Sequence, residues 1–232
     1  MLDERRDDLE AALEQRLESV PAAVRPRLRG WLHAGAFPLS LASGIALVIL
    51  ASGRREVIAS AVFAVTAIFL FGTSAVYHRG DWSPRVKSIL KRWDHANIFL
   101  IIAGTYTPFT ELLLPRGQAR TLLWIIWSGA VAGAAFRVLW LQAPRWLYVP
   151  VYVAMGWVAV AYLPGFLNGG GVAVLVLIVV GGLLYTLGGI VYGTKWPDPS
   201  PAWFGFHEIF HAFTIAAFAT HTVAVWLAVL QH

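Results

Sequence analysis

His207, Glu208 and His211 stand in the order His-Glu-x-x-His at the start of an apolar run. On a helix, positions four apart share one face, so two imidazoles are offered to a single cation. Ionisable groups inside an apolar run are costly and by default mark function. Two other runs carry matching chemistry at their ends: Ser74 and His78, four apart, close one, and Asp94 and His95 open the next. If these three ends share one depth, His78, His207 and His211 make a tetrahedral zinc set whose fourth position is open to water, as in catalytic sites. Asp94 then accepts a hydrogen bond from that water, and Ser74 fixes the water or a substrate oxygen. With no cysteine in the chain, a metal has only His, Asp, Glu and water as ligands, and an all-imidazole set suits zinc.

The remaining candidates are weighed by geometry. His-Glu-x-x-His is also the zincin motif, in which the glutamate is the general base of a peptidase, so Glu208 is a second candidate base. A helix turns about 100° between positions 207 and 208, which sets Glu208 off the ligand face. His33, at the start of the first apolar run, is read as structural or as an outer neighbour of the site. His95 points about 100° away from Asp94 and is also read as structural. His221, 14 residues after His207, returns to nearly the same face but lies too deep to reach the same ion; it is expected to pack inside the bundle with a polar partner. A lone histidine at a helix end is more often a cap or a cross-helix partner, and only the convergence of several favours a metal.

These residues need a bundle to position them. Of the 232 residues, 58% are hydrophobic and 13% charged, and the mean hydropathy is +0.63, too apolar for a domain whose whole surface meets water. Seven stretches can cross a hydrocarbon core that needs about 20 apolar residues: 31–51, 57–78, 93–114, 120–140, 146–165, 170–192 and 207–230. The expected fold is an all-α, seven-helix transmembrane bundle over 31–232, behind a charged cytoplasmic segment, 1–30. Within that segment Leu2, Leu9, Leu13, Leu17 and Val20 form a thin apolar stripe, expected as a solvated or surface-lying helix. No cleavable signal is visible in it. Basic residues crowd the N-terminal segment and the loops after spans 2, 4 and 6, which predicts a cytoplasmic N-terminus and an external C-terminus. The formal charge of +5 therefore orients a membrane protein and does not point to nucleic acid. Trp31, Trp82, Trp93, Trp140, Trp146, Trp196 and Trp203 fall at one predicted interface and Trp124, Trp127 and Trp226 at the other. Arg137 is expected to snorkel from span 4. Gly129 and Gly133, and Gly181, Gly182, Gly188 and Gly189, read as packing faces. Pro108 predicts a kink in span 3, with Gly104 relieving the proline ring. The proline-rich loop 193–206 reads as a stiff interfacial turn.

Three motifs in order, Ser74-x-x-x-His78, Asp94-His95-Ala96-Asn97 leading to Gly104-Thr105-Tyr106-Thr107-Pro108, and His207-x-x-x-His211 with the later His221, resemble the bacterial hemolysin III branch of the progestin and adipoQ receptor superfamily. The resemblance runs from the first span to the last. It implies seven helices, a cytoplasmic N-terminus, a location in the bacterial plasma membrane, and zinc on His78, His207 and His211 with Asp94 and Ser74 beside it. The likeness of site layout to alkaline ceramidases implies hydrolysis of a lipid amide, and the family name implies cytolysin-like activity or membrane homeostasis. One departure stands out: an acidic residue and an asparagine usually precede the first-span histidine, whereas here the stretch is Pro26-Arg27-Leu28-Arg29-Gly30-Trp31-Leu32-His33.

Two functions follow. In the first, the chain is a zinc-dependent hydrolase of a lipid amide or ester, with Asp94 handling the proton and Ser74 assisting. In the second, it is a non-enzymatic receptor, channel or membrane regulator in which zinc staples helices together. A weaker third is an intramembrane peptidase using Glu208. A membrane lipid is the expected substrate or regulator, and the oligomeric state stays open.

Overall fold

The computed structural model describes residues 26–231; the apolar stripe expected before residue 21 lies outside them. The elements within this range are helices, with one isolated bridge between Ser200 and Phe204. They are α1 (Trp31–Leu50), α2 (Arg54–Arg79), α3 (Pro84–Leu113), α4 (Arg116–Leu139), α5 (Arg145–Trp157), a short 3-10 segment (Val158–Tyr162), α6 (Leu163–Thr194) and α7 (Phe206–Leu230). Six helical stretches among the described residues are long and apolar enough to cross a membrane. One of them, Arg145–Thr194, counts 50 residues, about 75 Å if straight and far more than a bilayer core needs.

It is not straight. Gly171 stands at φ 72° and ψ −179°, a conformation open essentially to glycine alone. The chain folds back there, because Trp157 Nε1 donates to Thr186 Oγ1 at 2.9 Å and Val149 borders Gly193, pairs centred on residue 171. The sequence had put this connection at 166–169; helix persists instead to the glycine that can make the reversal. Tyr106 explains the 3-10 segment before it. Its hydroxyl donates to Gly156 O (2.7 Å) and accepts from Ala159 N–H (2.7 Å), drawing the helix out of regular register.

The third helix also begins earlier than hydropathy suggests. Ser83 caps it, accepting from Val86 N–H, and Pro84 occupies the first turn, so Arg85, Lys87, Lys91 and Arg92 ride on a helical extension ahead of the apolar run. This helix is the central pillar, in contact with α2, α4, α5, α6 and α7. Sequential neighbours α1 to α4 pack pairwise, α6 pairs with α7, and α7 closes against α1.

Small residues set the spacing at several of the expected glycines, whereas Gly182 meets open space. A Cβ on Gly104 would sit 1.9 Å from Thr66 Oγ1, so this glycine serves the α2–α3 crossing, and α3 continues helically through Pro108. Gly133 accommodates Phe99, Gly181 accommodates His221, and Gly188 faces Phe213.

Ahead of α1, Arg27 and Leu28 donate backbone N–H groups to Ala202 O (3.0 Å) and Trp203 O (3.3 Å), and the Arg27 guanidinium lies over the Trp203 ring. The loop between α6 and α7 is thereby fastened to the start of the bundle.

Candidate metal centre

Two helices supply the imidazoles. His78 closes α2, while His207 and His211 open α7 on one face, as four-residue spacing requires. One ligand atom from each of His78, His207 and His211 can be chosen so that all three lie within 4.8 Å of one another. The Nε2 atoms of His78 and His207 are 3.3 Å apart. Two nitrogens bonded to one tetrahedral zinc at about 2.0–2.1 Å stand roughly 3.3 Å apart, so this pair has the separation such an ion needs. Two imidazoles that met only to share a hydrogen bond would not call for a third ring, yet His211 lies 4.5 Å from His207 and 5.3 Å from His78 by ring centroids. The trio could hold a metal ion.

Asp94 and Ser74 join it. An Asp94 carboxylate oxygen lies 3.8 Å from His78 Nε2, beside the nitrogen that faces His207. Ser74 Oγ, one turn before His78, is buried beside the Asp94 carboxylate, and both residues line the same cavity as His207 and His211.

His33 packs flat on His211, ring centroids 3.8 Å apart and planes within 5°, and edge-on to Phe71. Neither of its ring nitrogens has a hydrogen-bond partner. It stands outside the trio as a fourth imidazole that fixes the plane of the third.

The residues at 22–222 match the family model described as Haemolysin-III related. The chain belongs to that family. It is 33% identical over 187 residues to the Hemolysin-3 homolog of Bacillus subtilis (strain 168), covering 78% of this chain and 83% of that protein. It is also 33% identical over 199 residues to Hemolysin-3 of Bacillus cereus, covering 83% and 86% respectively. A more distant likeness, 26% over 175 residues (74% of this chain, 70% of the relative), is to the human monocyte to macrophage differentiation factor. With its apolar helices, this haemolysin III relative is a multi-pass protein of the bacterial plasma membrane.

Glu208, next to His207, is committed elsewhere in this family member. One carboxylate oxygen accepts from Arg29 Nε in an ion pair and the other accepts from the Gly205 N–H at 2.9 Å. Glu208 thus caps its own helix and holds the segment ahead of α1. Arg29 was legible only as a loop charge. The clue was Glu208 itself: an acid inside an apolar helix needs a cation.

Arg137 does not snorkel. It is 1% exposed, donating to Trp140 O (3.1 Å) and Leu141 O (3.3 Å), meeting His95 Nδ1 at 2.5 Å and lying over the Tyr148 ring. Acceptors and an aromatic face supplied from within remove the reason to reach outward. His95 accordingly faces Arg137 and not the trio.

From the imidazoles an apolar cavity of about 320 Å³ extends into the bundle. Its lining follows α7 from His207 to His221 and α3 from Asp94 to Phe109, each about 21–23 Å of helix. Gly156 on α5 and Gly182 on α6 also border it, and a Cβ at either would meet open space.

Proposed function

We propose that this haemolysin III family member is a zinc-dependent hydrolase of a lipid amide or ester, built as seven passes over residues 31–232 with its N-terminus in the cytoplasm. The seventh pass comes from reading Arg145–Thr194 as two limbs, and the orientation from the basic loops. One observation carries the function: three imidazoles, a carboxylate and a buried hydroxyl meet at one end of a long apolar cavity. Such a cavity suits an acyl chain, with the polar groups fixing the carbonyl end.

Zinc on His78, His207 and His211 would supply Lewis acidity at the carbonyl and lower the pKa of a coordinated water. The protein does the rest. Asp94 receives the proton released as the carbonyl is attacked and returns it to the leaving nitrogen or oxygen. Ser74 Oγ–H, beside Asp94, donates to a substrate oxygen. The cavity walls exclude bulk water and hold the chain in register with these groups.

The test is fatty-acid release from a panel of lipid amides and esters by detergent-purified protein, with and without chelator, alongside metal analysis. Chelator-sensitive release is expected. Folded, zinc-loaded protein that turns over nothing on the panel would shift the assignment to the second reading, a non-enzymatic membrane protein. That reading draws on the same trio, since a cation there ties α2 to α7. The peptidase scheme is disfavoured because both Glu208 oxygens are engaged.

A further inference from the structure

A second polar cluster lies deeper in the cavity. His221, on α7, is ten residues beyond His211, about 15 Å along the helix axis. Its Nε2 donates to Ile178 O at 3.1 Å across α6, and Gly181 is bare where any Cβ would strike the ring. A carbonyl only accepts, so Nε2 carries the proton and Nδ1 of the neutral ring is an acceptor. That Nδ1 is buried and has no partner. The Tyr185 ring centroid is 5.7 Å from that of His221, and the Tyr185 hydroxyl is likewise buried and unpartnered. Phe109 meets His221 edge-on, and Thr105, one turn before it on α3, has a third unpartnered buried oxygen. Thr107, Thr214 and Thr222 return their hydroxyls to the carbonyl four residues back; Thr105 does not. All three residues line the cavity.

We infer that this cluster is a subsite for a hydroxyl group carried partway along a lipid chain. It offers one obligate acceptor and two hydroxyls that can donate or accept. A ligand hydroxyl satisfies both kinds, donating to His221 Nδ1 while accepting from Tyr185 or Thr105. A ligand carbonyl leaves Nδ1 unmet, and an unsubstituted methylene leaves all three. The cavity therefore selects a hydroxylated acyl chain whose hydroxyl lies well away from the end held at the imidazoles. This rests on the reading of the cavity as an acyl-chain site.

The experiment is competition against tritiated stearic acid on zinc-loaded, detergent-purified protein. The competitors are unlabelled stearic acid and its counterparts hydroxylated beside the carboxyl, at mid-chain and at the far end. A mid-chain hydroxyl is expected to improve competition about tenfold, the worth of a single well-made hydrogen bond at the upper end of its range. Tyr185→Phe, Thr105→Val and His221→Phe should each lower that advantage, and the two conservative changes decide the matter if the histidine variant does not fold. Equal competition by all four acids, or an advantage that survives every substitution, overturns the subsite and leaves the acyl-chain reading standing. Absence of stearic acid binding removes that reading and the subsite with it.

Discussion

Arg29 and Glu208 form an ion pair that fastens the segment ahead of α1 to the first turn of α7. The glutamate is 1% exposed and its second oxygen caps the helix that carries His207 and His211. The residue that makes the sequence look like a peptidase therefore acts as a brace for the turn that carries His207 and His211.

Breaking that brace from one side should cost more than removing it whole. Glu208→Ala strands Arg29 and is expected to lower stability by about 1.5–3 kcal/mol, the worth of a hydrogen bond to a charged group. The double variant Arg29→Met with Glu208→Leu should recover part of the loss. Thermal melts of the purified proteins measure both, and equal losses in the single and double variants would count against a buried pair.

For the metal, single alanine substitutions of His78, His207 or His211 should bring zinc content, read by mass spectrometry, to background. His33→Phe should retain the ion, because an aromatic ring preserves the stack on His211 and the imidazole stands outside the trio. Loss of zinc in that variant would make His33 a ligand.

Asp94→Asn separates the enzyme from the staple. The amide keeps the shape but takes up no proton, so release of fatty acid should fall about 10²–10⁴-fold at undiminished zinc content. A folded, zinc-loaded variant with full cellular function would point to the non-enzymatic protein.

Arg137→Lys is expected to melt at lower temperature than the parent, since an ammonium cannot both stack on Tyr148 and serve three acceptors in a plane. An unchanged melting temperature would show that the network contributes nothing.

Gly104→Ala drives a methyl into Thr66 and should destabilise by about 1–3 kcal/mol. Gly182→Ala, which meets nothing, is the matched control.

Hydropathy and the spacing of four made the apolar helices and the gathering of their polar side chains legible, because both are local. The ends of the apolar runs in α2, α3 and α7 could be read as one depth, and His78, Asp94, Ser74, His207 and His211 do lie together. Local rules also held the start of α3, in Ser83-Pro84, but the charges of the next two turns masked it. Which of three consecutive glycines reverses the chain was not legible, since Gly169 and Gly170 lie against Leu113 and only Gly171 is free to turn. Arg29 and Arg137 read as ordinary interfacial charges because their partners, Glu208 and His95, lie 179 and 42 residues away. Pairings at such range follow from packing, which sequence periodicity does not encode.

Gly156 and Gly182 leave bare backbone where α5 and α6 border the cavity. An alanine at either position adds a methyl at the border of the cavity that presses on no neighbour. On the acyl-chain reading, preference for chain length is then adjustable by single point changes away from the three imidazoles of the metal trio.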